Sequence, residues 1–131
     1  MKAPLSPRNH GYIDYLAVGM LLLAPTLFRF SGLPAALCYV LAVFQGGMSL
    51  MTAYPLGLAK IIPFPLHGSI EAVTSVALVV LPFLLGFSEV VRARNFFIVS
   101  GIALFAVWMV TNYRAAELPT GGIGMRRRIH V

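Results

Sequence analysis

The sequence has a single cysteine, Cys38, set inside an apolar run. With no second thiol, an intramolecular disulfide and a dithiol relay are both excluded. Charge is scarce as well. Ten basic and four acidic side chains make up 11% of 131 residues, where a soluble domain carries about 25%. Also missing are a glycine-rich phosphate loop, a His-Glu-x-x-His helix, a Gly-x-Ser-x-Gly elbow and a paired Cys-x-x-Cys, patterns that mark nucleotide, zinc-protease, hydrolase and metal or redox chemistry. The basic residues form no stripe interleaved with aromatics, and the one dense run is Arg126-Arg127-Arg128. Lacking that electrostatic footprint, the chain is not expected to bind nucleic acid despite a net charge of +6.

What is abundant is apolar surface. Apolar residues make up 59% of the chain and the mean hydropathy is +0.85, more than so small a sphere can hide from water. The expected solvent is lipid. Uncharged runs extend over residues 15–28, 30–59, 72–88 and 95–113, and a membrane helix needs about 20 residues. The first and third runs reach that length only if their helices start near His10 and His67, which brings Asp14 and Glu71 to the edge of the lipid. The expectation is an all-α bundle of four membrane helices at about 10–30, 34–54, 67–87 and 95–113. They form one domain over residues 1–113, followed by a basic, mobile cytoplasmic tail over 114–131. Asp14, Pro25 and the absence of a small-x-small site argue against reading the first span as a cleaved signal. Ser31-Gly32-Leu33-Pro34 reads as a tight turn, and Tyr54 to Pro65 as a loop or re-entrant stretch.

An internal repeat organises these spans. His10-Gly11-Tyr12-Ile13-Asp14 matches His67-Gly68-Ser69-Ile70-Glu71 at an offset of 57, and Pro25 meets Pro82 in the same register. At an offset of 59, Val40, Thr52 and Tyr54 meet Val99, Thr111 and Tyr113. Two hairpins, 10–54 and 67–113, are therefore expected as parallel repeats about an axis along the membrane normal. Lys2, Arg8, Lys60, Arg114 and Arg126 to Arg128 fall on one side, against Arg29, Arg92 and Arg94 on the other. This bias places both termini in the cytoplasm.

These residues resemble a family. The His-Gly-x-x-Asp-Tyr start at His10, the Phe-x-Phe-Ser at Phe28, Thr52-Ala53-Tyr54, Leu56-Gly57, Ile62-Pro63, His67 and Leu81-Pro82-Phe83-Leu84-Leu85-Gly86-Phe87 are similar to the bacterial SPW-repeat membrane proteins. The name-giving Ser-Pro-Trp motif is Ala24-Pro25-Thr26 and Leu81-Pro82-Phe83 here, keeping only the prolines. The resemblance implies a small multi-pass protein of the bacterial inner membrane with no established biochemical role, and it brings no catalytic residues.

The candidate polar site is His10, Asp14, His67 and Glu71. Spacing of four puts each His and acid on one helix face. The structural reading is helix-start chemistry, where the macrodipole favours a first-turn carboxylate by about 0.3–1 kcal/mol. The functional readings are a proton or ligand relay and a site for zinc, iron or manganese. The structural reading is preferred, so no metal or cofactor is expected. The two pairs are expected to face the bundle interior or a shallow cytoplasmic funnel, with Gly11, Gly68, Ala72 and Ser75 letting helices 1 and 3 approach. Ala42, Gly46, Ser49 and Ala53 on helix 2, and Gly68, Ala72 and Ser75 on helix 3, read as packing stripes of small residues. Pro25 and Pro82 read as stops near helix ends. Arg92 and Arg94 are expected to precede helix 4, and Tyr12, Tyr15, Tyr54 and Tyr113 to form an aromatic belt, with Trp108 packed deeper.

The leading functional expectation is a non-enzymatic scaffold or accessory protein whose partners are the bilayer and either itself or a larger membrane protein. The alternatives are a transporter or proton- or ion-conducting protein using the His/acid quartet, and a metal- or cofactor-binding membrane enzyme.

Overall fold

A computed structural model describes residues 4–113. Lys2 and the basic tail, with Arg114 and Arg126 to Arg128, lie outside the described residues. The elements are α1 (Pro7–Leu27), α2 (Gly32–Leu50), β1 (Thr52–Ala53), β2 (Ile62–Pro63), α3 (Phe64–Leu84) and α4 (Val91–Val110). The chain is thus all-helical apart from one short parallel strand pair, in which Thr52 faces Ile62 and Ala53 faces Pro63.

Three helices, α2, α3 and α4, are long and apolar enough to cross a membrane. α1 has 21 residues, but Arg8, Asn9, His10 and Asp14 lower the hydropathy of its first half. Side chains such as Val43, Val73 and Leu84, each more than 70% exposed, would be costly to leave in water.

The helices begin earlier than the hydropathy pattern suggests. Ser6 caps α1 by accepting a hydrogen bond from the Asn9 amide, and Pro7 takes the first helical position. Pro65 sits in the first turn of α3. A proline there has a favourable φ and needs no helical partner for its missing N–H. One consequence is a correction: neither first turn contains an acid. Asp14 and Glu71 stand seven residues in, about 10 Å along the axis at 1.5 Å per residue. Helix-start chemistry does not account for them.

Pro25 and Pro82 fall in the last turns of α1 and α3. Both helices end alike: the Phe30 amide donates to the Pro25 carbonyl at 3.0 Å, and the Phe87 amide to that of Pro82 at 2.8 Å. The residue after each cap is left-handed, Arg29 at φ 57° and Gly86 at φ 79°. These are Schellman endings, which satisfy carbonyls that the helix leaves over.

α2 ends at Leu50, so Ala53 is not on the helical stripe and Thr52-Ala53-Tyr54 is not helical. The loop takes over the leftover carbonyls. The amides of Leu58 and Ala59 donate to Leu50, and those of Ile61 and Ile62 to Met51. Gly57 is required there, since a Cβ at its position would stand 1.9 Å from the Thr52 carbonyl oxygen. Arg92 and Arg94 lie in the first turn of α4 rather than before it.

Packing pairs α1 with α2 and α3 with α4. Gly101 lets α4 approach α3 so closely that a Cβ would lie 2.6 Å from the Ser75 carbonyl oxygen, and Gly46 of α2 faces Val18 of α1. Gly11 and Gly68 serve differently from expectation. Each makes room for a side chain beyond its own helix, Leu56 and Tyr113 respectively. At one end of the molecule the hairpins meet through aromatics, with Phe28 and Phe30 against Phe96, while Phe87 packs on Phe97 within the second hairpin. Between the hairpins runs an apolar crevice of about 220 Å³, walled by residues such as Ile13, Met20, Leu41, Phe44 and Leu104, with Gln45 on its lining. At the other end Leu5 bridges Thr111, and the loop of β1 and β2 folds over the starts of α1 and α3.

Candidate functional site

That second end holds a closed polar ring. His10 and Asp14 come from the second and third turns of α1, and His67 and Glu71 from the corresponding turns of α3. All four side chains are buried, at 0–1% exposure. The His10 Nε2 atom lies 3.2 Å from Asp14 Oδ1 and 2.9 Å from Glu71 Oε1. The His67 Nε2 atom lies 3.2 Å from Asp14 Oδ2 and 3.0 Å from Glu71 Oε2. Each carboxylate oxygen therefore faces one imidazole nitrogen, and imidazole alternates with carboxylate around the ring.

Neighbouring groups fix the ring from outside. Thr52 Oγ1 donates its one proton to the Met48 carbonyl at 2.6 Å, and Thr111 Oγ1 donates to Val107 at 2.6 Å. Each hydroxyl can then only accept from the imidazole nitrogen beside it. His67 Nδ1 donates to Thr52 Oγ1 at 2.6 Å and His10 Nδ1 to Thr111 Oγ1 at 2.7 Å. This assigns the Nδ1–H form to both rings and turns both Nε2 atoms inward. The threonines are exchanged between hairpins: the one following α2 holds the histidine of α3, and the one following α4 holds the histidine of α1.

The carboxylates are held by neutral donors. The Gln45 amide nitrogen donates to Asp14 Oδ1 at 3.1 Å and to Glu71 Oε2 at 3.5 Å. Tyr54 donates to Asp14 Oδ2 at 2.8 Å, and Tyr113 to Glu71 Oε1 at 3.3 Å. Burial, and after it the negative charge of Asp14, pushes the Tyr54 hydroxyl above the usual phenol range. Burial and the charge of Glu71 do the same for Tyr113. Both phenols thus remain protonated donors at any working pH. Phe64, itself buried, packs on both imidazoles at ring-centroid distances of 5.2 and 5.6 Å.

The four residues that the spacing singled out are thus brought together. Ser75 and Ser49 are buried, and Ala42, Gly46, Ser49 and Ser75 lie along the hairpin interiors outside the ring. Sequence reasoning had paired Thr52 with Thr111 and Tyr54 with Tyr113 but gave them no role in the site. Gln45 went unnoticed, although an amide in the middle of an uncharged run is a signal that a polar partner waits inside. The crevice meets the ring at this residue. No protein-family model, curated protein sequence or solved structure matches the chain.

Proposed function

We propose that this chain is a small multi-pass protein of the bacterial inner membrane, of SPW-repeat type, acting as a non-enzymatic scaffold or accessory protein. In this reading α1 crosses the bilayer beside α2, and the two hairpins are parallel repeats with both termini cytoplasmic. The observation that carries it is the ring: among the described residues the acids inside the helices, Asp14 and Glu71, are spent joining one hairpin to the other. Further support comes from α1 and α3, which have equal lengths and begin 57 positions apart. Beyond Gln45 the space between the hairpins is walled almost wholly by apolar side chains, so a polar path stops partway across. Lipid is the partner of the exposed apolar faces, and a second copy or a larger membrane protein completes the assembly.

Two measurements test this. A reporter active only in the cytoplasm, fused after Val131, should be active, and activity of a periplasm-only reporter at that position overturns the orientation. Proteoliposomes carrying the protein should keep an imposed pH gradient as long as empty vesicles do. A faster collapse that Asp14→Asn abolishes would replace the scaffold with a proton relay.

A further inference from the structure

The ring raises a question of charge that the scaffold role leaves open. Two carboxylates buried side by side need two positive charges nearby, because an uncompensated buried carboxylate costs several kcal/mol. Arginine and lysine do not supply them among the described residues, since the ion pairs of Asp14 and Glu71 there are all with the two imidazoles. Three fillings balance the ring: two imidazolium ions, one imidazolium with a proton on one carboxyl group, or one divalent cation between neutral imidazoles and the carboxylates. The proton-held rings and the ion-held ring are all neutral and differ in geometry. A protonated Nε2 must aim its N–H at an oxygen. His67 does so toward Glu71 Oε2 at 3.0 Å. His10 is placed less well: its Nε2 is fully buried with two carboxylate oxygens at 2.9 and 3.2 Å, and an N–H on that atom would point squarely at neither.

We propose that the ring is a binding site for one divalent first-row transition ion, held by the Nε2 atoms of His10 and His67 and the carboxylates of Asp14 and Glu71. One ligand atom from each residue can be chosen so that all four lie within 4.8 Å of one another. Atoms bound to one ion at about 2.0–2.2 Å lie about 3.0 Å apart along an octahedral edge and about 3.4 Å apart along a tetrahedral one. The four nitrogen–oxygen separations, 2.9, 3.0, 3.2 and 3.2 Å, involve both oxygens of each carboxylate, and all but the shortest fall inside that range. The outer contacts are those that tune a metal site. Each imidazole donates its far N–H to a fixed acceptor, which orients the ring and leaves the other nitrogen for the ion. The four carboxylate oxygens are met by three neutral donors, Tyr54, Tyr113 and a Gln45 amide shared between the two acids. Imidazole with carboxylate and no sulfur suits zinc, iron(II) or manganese(II). Cys38, the one thiol, belongs to the apolar cluster with Phe30, Phe87 and Phe97. Calcium and magnesium, which prefer oxygen alone, fit poorly.

The test uses the full chain purified in detergent, freed of metal with a chelator and titrated with cobalt(II) chloride, whose visible absorption bands report nitrogen and oxygen coordination. One cobalt per chain should bind, and its displacement by zinc should erase the bands. Thr52→Val removes the acceptor that orients His67, along with the hydroxyl's bond to the Met48 carbonyl, so cobalt affinity should fall roughly 10–100-fold, while Thr52→Ser should restore it. His67→Gln should abolish the bands. The wild-type titration decides alone if that variant fails to fold. A folded wild-type chain that gives no cobalt bands and shows no melting shift with zinc overturns the site and leaves the ring held by protons. Bands undiminished in both Thr52→Val and His67→Gln would place the ion elsewhere and overturn it equally.

Discussion

Arg29 and Gly86 occupy the same place in their two helix endings and differ in cost. A side chain in the left-handed region crowds the following carbonyl by about 1–2 kcal/mol, and glycine avoids this. Arg29→Gly is therefore expected to stabilise the protein by up to about 1 kcal/mol, read as a higher melting temperature in detergent. Gly86→Ala should lose about 1 kcal/mol through the backbone alone, since no atom lies within 4 Å of the added Cβ. Equal and negligible shifts for both would mean that these endings do not limit stability. At this scale the sequence was partly legible. The His/acid spacing of four marked the ring members, because a helix places such pairs on one face whatever its surroundings. Their depth was not legible from hydropathy, which registers Arg8 and Asp14 as interruptions; the start of α1 is marked by Ser6 and Pro7.

Among the elements, the helices were legible as uncharged runs and their ends were not. α2 stops four residues short of the expected boundary because Pro55 disfavours helix at Tyr54 and because loop amides cover the carbonyls of Leu50 and Met51. Both causes involve residues well beyond the helix, which periodicity cannot weigh. The small-residue stripes announced close packing without naming the neighbour. Gly101, absent from those stripes, marks a close approach of α4 to α3, where the Ser75 carbonyl stands in the way of any Cβ. Gly101→Ala should cost about 1–3 kcal/mol by forcing the helices apart. Gly47→Ala, with open space around the added methyl, serves as the control in the same unfolding assay and should stabilise by up to about 1 kcal/mol, since alanine is the better helix former.

For the whole molecule, the repeat in the sequence spoke to pairing of like with like, His10 with His67 and Thr52 with Thr111, but not to which partner each would meet. The exchange of threonines follows from the three-dimensional arrangement alone: each hairpin orients the histidine of the other. This arrangement has a mechanical consequence. If one hairpin were drawn away by its end, the remaining one would keep its own acid and imidazole together but lose both ion pairs to the other hairpin, at a cost of up to about 3–5 kcal/mol for each broken buried pair. No intermediate with one hairpin extracted should persist. Pulled from the C-terminus by a force probe, the protein should give one rupture for all four helices. With the ring replaced by Asp14→Leu, His10→Leu, His67→Leu and Glu71→Leu, the force trace should instead divide into two ruptures, one per hairpin.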